Sequence, residues 1–207
     1  MRLQVAIDRV PLARAKELVQ ELNQADIIEI GTSLSKDYGL QCVTETKTFK
    51  GTAKLLVDIK TIDEAAYEFT KYFEAGADIL TVMGAGAYET VEICYQVAEK
   101  FGKEVLIDLL ECDEERIERI AHFENAIYAM HFSKDSNQKV SVVDEVKRFV
   151  TRFPHIKRIA LAGGLNLETM AALKETPLEI AIVGSAIVGK EAPQKELEKY
   201  LEVLLDE

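Results

Sequence analysis

The sequence predicts an α/β chain folded as a single (β/α)8 TIM barrel over residues 1–207. Three observations lead there. Short apolar, β-rich runs alternate eight times with helical stretches, at a spacing of roughly 25 residues. No linker, low-complexity tract or composition break interrupts the series. No glycine-rich dinucleotide fingerprint follows the first run, where Asp8-Arg9-Val10 stands instead, which disfavours an open doubly wound sheet.

The first strand is Leu3–Ile7, ending at Asp8, and Pro11 opens a helical pattern running to about residue 23. Asp26–Ile30 is the second strand, closed by Gly31, and a helix is expected over Lys36–Thr48. The third strand begins at Lys54 and carries Asp58 and Lys60, followed by a helix from Ile62 to Glu74. Ala77–Val82 is the fourth, then Gly84 and Gly86 in a turn and a helix to Phe101. Glu104–Asp108 is the fifth, with a charged amphipathic helix over Asp113–Phe123. Ala126–Met130 is the sixth, ending at His131, with a helix from Val140 to just before Pro154. Ile156–Ala160 is the seventh, then Ala162-Gly163-Gly164 and a helix over Leu167–Lys174. Leu178–Val183 is the eighth, then Gly184-Ser185, a short helical turn and a last helix over Gln194–Leu204.

Bulk properties narrow the function. The chain has 207 residues, 48% hydrophobic and 29% charged, enough to bury a sizeable core. A formal net charge of -11 argues against nucleic acid or an anionic membrane as partner, yet leaves room for a small anionic substrate. Cys42, Cys94 and Cys112 are odd in number, far apart and without zinc-ligand spacing. They read as reduced, structural residues of a cytoplasmic protein. No apolar run approaches membrane-spanning length, and the N-terminus reads as a strand rather than a signal peptide.

In such a barrel the active site gathers at the C-terminal ends of the strands. Those ends carry Asp8, Glu29, Asp58, Lys60, Asp108 and His131. Singly, each has an ordinary explanation. Asp58 and Lys60, two apart on a strand and so on one face, make a plain ion pair equally well. Asp8 and Asp108 suit helix caps, and His131 suits a satisfied buried histidine. Together, four carboxylates beside one lysine repel one another unless a cation joins them, and oxygen-rich clustering suits Mg²⁺. His122 and His155, read as lying on a helix and in a surface turn, receive no role. Glycine after both the seventh and eighth strands (Ala162, Gly163, Gly164; Gly184, Ser185) points to backbone N–H groups arranged for a phosphorylated substrate.

Asp58-x-Lys60-x-x-Asp63 with Asp8 resembles the orotidine 5'-phosphate decarboxylase superfamily. The closer likeness is to its 3-hexulose-6-phosphate synthase and 3-keto-L-gulonate-6-phosphate decarboxylase branch. It extends over Leu3–Asp8, Asp26–Thr32, Glu74–Asp78, His131, Ala160–Gly164 and Ile182–Ile187. The resemblance implies a homodimer with shared active sites, in which Glu29 and Asp58 hold Mg²⁺ and Lys60 stabilises an enediolate. Asp63 orients Lys60 of the partner subunit, His131 shuttles a proton, and the glycine loops hold the phosphate of a pentulose or hexulose phosphate. Three departures stand out. Phe132-Ser133-Lys134-Asp135 follows His131, with Lys134 where decarboxylases place a substrate-binding arginine. Ser185 replaces their second arginine, as in the synthases, and Glu64 adds a carboxylate beside the expected metal. The leading expectation is therefore Mg²⁺-dependent addition of formaldehyde to ribulose 5-phosphate. The alternatives are decarboxylation of 3-keto-L-gulonate 6-phosphate, suggested by Lys134, and a barrel that binds a sugar phosphate without turning it over.

Overall fold

The structure, a computed structural model, describes residues 1–131 and 141–205. The strands are β1 (Arg2–Ile7), β2 (Ile27–Ile30), β3 (Lys54–Thr61), β4 (Ile79–Met83), β5 (Glu104–Asp108), β6 (Ile127–His131), β7 (Ile159–Ala162) and β8 (Ile180–Val183). All pair in parallel and in chain order, and β8 returns to β1 through Arg2↔Ile180 to Val5↔Val183, closing the barrel. Between and after them lie α1 (Leu12–Glu21), α2 (Thr32–Tyr38), α3 (Leu40–Thr46), α4 (Ala65–Ala75), α5 (Tyr88–Phe101), α6 (Glu114–Ile120), α7 (Val142–Arg152), α8 (Leu167–Leu173), α9 (Ser185–Val188) and α10 (Pro193–Leu205). The alternation read from the sequence is the architecture found.

The strands bury both faces, which is why they read as apolar runs rather than clean alternations. Outward residues such as Val5, Ile28, Val57 and Leu80 pack under the helices. The helices answer with apolar stripes: α4 buries Ala65, Phe69 and Phe73 at a spacing of four. Phe69 is fully buried, so truncating it to alanine should cost about 3–5 kcal/mol. Inward residues form a second, separate cluster of Ile27, Leu56, Ile79, Leu106, Ile127, Ala129, Ala160 and Ile180. It plugs the lower barrel and becomes the floor of the cavity above.

Four expectations need correction. The single helix over Lys36–Thr48 is two shorter ones, because Gly39 adopts φ +54° and breaks the ladder between α2 and α3. The seventh strand begins three residues later and ends two residues later than its apolar run suggested, so Ala162 closes β7 rather than opening the loop. α6 stops at Ile120, leaving His122 in the following turn, where its ring meets the Tyr88 hydroxyl at 3.1 Å. Finally, β3 is not a regular strand where its polar residues stand. Val57 lies opposite Leu80 and Thr61 opposite Val82, so Asp58, Ile59 and Lys60 together face Thr81 alone. Lys60 sits inside this bulge at φ +49°. Among the described residues, no helix is long and apolar enough to cross a membrane.

Candidate active site

Taken two by two along each strand, the inward side chains climb from the apolar floor into a polar wall. Leu56 is followed by Asp58 and Lys60, Ile79 by Thr81, Leu106 by Asp108, and Ala129 by His131. On the opposite side, beside Ile182, much of the lining is small or main chain: Ala6, Ala162, Gly163, Gly164 and Gly184. The result is a cavity of about 1150 Å³ at the C-terminal mouth, charged on one side and glycine-lined on the other.

Asp108 is the hub of the charged side. It is 3% exposed and accepts from Lys60 Nζ at 2.6 Å, with His131 Nδ1 at 3.1 Å from the same oxygen. Burial alone raises a carboxyl, but the His131 hydrogen bond and the Lys60 ammonium overcome it and hold Asp108 down at about 2. A carboxylate can only accept, so Nδ1 carries the proton and Nε2 of neutral His131 is left as the basic nitrogen. The other carboxylate oxygen of Asp108 accepts from the Leu110 N–H at 3.0 Å, while α6 is capped by Asp113, so capping is not what Asp108 does. The sequence placed Asp108 among the strand-end carboxylates without giving it a part in the chemistry.

Lys60 also meets Asp58 Oδ2 at 3.3 Å, and although burial works against its charge, the two aspartates raise its pKa. Asp58 is buried and takes hydrogen bonds from the Thr32 and Thr81 hydroxyls. Glu29, also buried, accepts from Gln4 Nε2 at 2.7 Å. Burial, and then the charge of Asp58, push Glu29 up to about 8. Among the described residues, buried Gln4 Oε1 has no hydrogen-bond partner. Asp8 does not cap α1, which starts after Pro11; it accepts from the Ser33 hydroxyl at 2.8 Å and lines the same cavity.

These donors fit a hard divalent cation. Glu29 and Asp58 offer oxygen ligands whose mutual repulsion a cation relieves, and the orphaned Gln4 oxygen suits a donor such as a cation-bound water. Among the described residues no three His, Cys, Asp or Glu side chains form a complete metal cage. A Mg²⁺ ion would take one or two carboxylates here and fill its shell with water and substrate oxygens.

On the opposite wall, Gly163 and Gly164 take φ of +114° and +67°, turning successive peptides where a side chain would be strained. Gly184 and Ser185 begin α9 across from them. Asp63 does not join the cluster: it is exposed, accepts from the Glu64 N–H at 2.9 Å, and lies outside the cavity lining among the described residues. Glu64, expected beside the metal, is likewise exposed and outside the cavity. Lys134 lies outside the described residues.

Sequence reasoning missed Gln4, Thr32 and Thr81, which are buried or half-buried and hold the carboxylates. Strand parity was the available signal, since Gln4 lies four residues before Asp8 on the inward face.

Against known proteins, residues 1–200 match the model of the Orotidine 5'-phosphate decarboxylase / HUMPS family. The chain belongs to that family. Among its relatives, a 3-hexulose-6-phosphate synthase of Bacillus subtilis (strain 168) is 32% identical over 192 residues, covering 91% of each chain. One from Methylomonas aminofaciens is 29% identical, covering 92% of each. Among solved structures, 3-hexulose-6-phosphate synthase from Salmonella typhimurium superposes with a TM-score of 0.90 at 28% identity, covering 99% of both chains. A 3-keto-L-gulonate-6-phosphate decarboxylase from Vibrio cholerae shares the fold with a TM-score of 0.84 at 23% identity, covering 98% of this chain and 96% of that one.

Proposed function

We propose that this member of the family is a lyase of the 3-hexulose-6-phosphate synthase type, adding formaldehyde to ribulose 5-phosphate through an enediolate. The observation that carries the reading is the Lys60–Asp108–His131 relay, standing in one cavity with Glu29, Asp58 and a glycine-lined wall. Full-length relatives named for that activity support it.

The site's parts have distinct tasks. Backbone N–H groups of Gly163, Gly164, Gly184 and Ser185 take the phosphate, supported by their position opposite the charged wall. His131 Nε2 removes a proton from C1 of the ketose, and the electron pair moves onto the carbonyl oxygen, giving the enediolate. The Lys60 ammonium, held between Asp58 and Asp108, stabilises the negative oxygen. C1 then attacks the formaldehyde carbon, the C=O π pair becomes an alkoxide, and the imidazolium returns its proton there. Asp108 stays ionised throughout and steadies the imidazolium. Mg²⁺ on Glu29 and Asp58 would supply Lewis-acid stabilisation of the same oxygens.

The reading includes a homodimer in which Asp63 serves Lys60 of the partner subunit. Its support is that Asp63 is exposed, lies outside the described lining of its own chain's cavity, and has the exposed apolar residues Ile62 (58%) and Tyr67 (64%) near it in sequence.

The test is formaldehyde consumption by purified protein with ribulose 5-phosphate. Turnover that EDTA abolishes and Mg²⁺ restores is expected. No turnover, alongside CO2 release from 3-keto-L-gulonate 6-phosphate, would replace this reading with the decarboxylase one.

A further inference from the structure

The bulge in β3 raises a question that neither the relay nor the metal ligands answer. Three residues, Asp58, Ile59 and Lys60, occupy the space opposite a single residue of β4. Lys60 is a non-glycine residue at φ +49°, a conformation that costs on the order of 1–3 kcal/mol and persists only when its surroundings enforce it. Displaced from the ladder, its N–H finds no main-chain acceptor on β4. It donates instead to Thr81 Oγ1 at 2.9 Å. The same hydroxyl donates its own proton to Asp58 Oδ1 at 2.7 Å. Thr81 is 3% exposed, so little solvent reaches either bond.

We infer that Thr81 is the positioning residue of this site, its hydroxyl acting as the clasp that closes the β3 bulge. The chemistry of a hydroxyl suits the task. It is one donor and one acceptor on a single atom, so it links a main-chain N–H to a carboxylate two residues upstream. That link fixes the Lys60 backbone and the Asp58 carboxylate relative to each other. From that anchored backbone the Lys60 ammonium reaches Asp58 at 3.3 Å and Asp108 at 2.6 Å. Thr32 holds the other Asp58 oxygen and Ser35 donates to the Asp58 main-chain carbonyl at 2.9 Å. Thr81 is the side chain that ties the Asp58 carboxylate to the Lys60 main chain. Serine preserves the hydroxyl; valine matches the shape but leaves a buried N–H and a carboxylate oxygen unpaired; alanine opens space for water.

The inference rests on the proposed aldol reading for its kinetic consequence, but not for its structural one, and the experiment separates the two. Amide hydrogen exchange at Lys60 and steady-state kinetics are measured on wild type, Thr81→Val, Thr81→Ala and Thr81→Ser. Valine and alanine are expected to speed Lys60 amide exchange by roughly tenfold or more. They should lower kcat by on the order of 10²-fold with KM for the sugar phosphate little changed, as expected when a reacting group is misplaced by about 1 Å. Serine should restore both. If the valine variant does not fold, the alanine variant carries the comparison. Wild-type Lys60 exchange in a folded variant lacking the hydroxyl overturns the clasp. Fast exchange with unchanged kcat overturns its positioning role. If wild type itself makes no hexulose phosphate, the aldol reading fails, and the exchange result still decides whether Thr81 holds the bulge.

Discussion

The two ends of this barrel are both built from charged residues, and they use them in opposite ways. At the N-terminal end, acids and bases are matched. Arg158 bridges Glu104 at 2.6 Å and Glu179 at 2.9 Å, Arg2 joins Glu179, Lys54 joins Glu104, and Lys103 and Lys50 hold Asp78 at 2.5 and 3.0 Å. Although burial opposes it, these partners, joined at Asp78 by the Leu55 N–H, hold Asp78, Glu104 and Glu179 below their ordinary values. At the mouth, among the described residues, Asp8, Glu29, Asp58 and Asp108 line one cavity with Lys60 and Arg9 as its cations, and Glu29 is pushed up to about 8. Backbone conformation differs in part. Left-handed positions entering β3, β4 and β5 belong to Gly51, Gly76 and Gly102, whereas at the C-terminal end Gly163 and Gly164 share such positions with the non-glycine residues Arg9, Lys60, Glu64 and Glu111. The lower end is relaxed and serves stability; the upper end holds charge imbalance and strain in reserve for a ligand.

The largest effect expected from this contrast is at Asp108. Asp108→Asn keeps the shape but removes the charge that sets the His131 tautomer and faces Lys60. The kcat should fall by on the order of 10²–10⁴-fold while the protein stays folded. Steady-state kinetics with a circular-dichroism check would show this, and activity within about threefold of wild type would remove Asp108 from the hub.

Glu29→Gln sharpens the comparison from the other side, because here loss of function should bring a gain in stability. A carboxyl raised from an ordinary 4.5 to about 8 binds its proton more tightly in the folded protein. Its stabilising contribution is complete below pH 4.5 and is lost as pH rises through about 8. Metal-free wild type should therefore lose melting temperature between about pH 5 and 8.5, and Glu29→Gln should flatten that slope. At the alkaline end the variant should melt higher by a few degrees, given roughly 2–4 °C per kcal/mol for a chain of this size. Thermal melts in EDTA at the two pH values check it; identical slopes would mean that Glu29 is not strained.

A smaller effect is expected below. Arg158→Ala strips two half-buried carboxylates of their shared partner, at a cost of about 1–3 kcal/mol, because Arg2 and Lys54 remain to screen them. The melting temperature should drop by several degrees with kcat at about 25 °C unchanged. A change in kcat would show that the two ends are not independent.

What the sequence disclosed follows from the same division. The barrel was legible because eight apolar runs and eight helical stretches are local patterns, and the mouth residues followed from one rule about strand ends. Asp58 and Lys60 were placed on one face by simple alternation, which reached the right answer for an incomplete reason: a bulge and a left-handed lysine put them there. A bulge belongs to the register between two strands, so neither strand announces it. Thr81 and Gln4 look like ordinary strand residues until their neighbours are known. Asp108 resembled a helix cap because its partners lie 48 and 23 residues away in sequence. The broken helix at Gly39 was missed because apolar spacing continues across it.

The central claim is that the metal-free mouth disfavours ionised Glu29 and that a divalent cation would stabilise it. Calorimetric titration of the metal-free protein with Mg²⁺ at pH 7, in buffers of different ionisation enthalpy, tests it most directly. Glu29 with a pKa of about 8 is mostly protonated there, so binding should release close to one proton in wild type and none in Glu29→Gln. Absence of Mg²⁺ binding, or binding without proton release, would contradict the account.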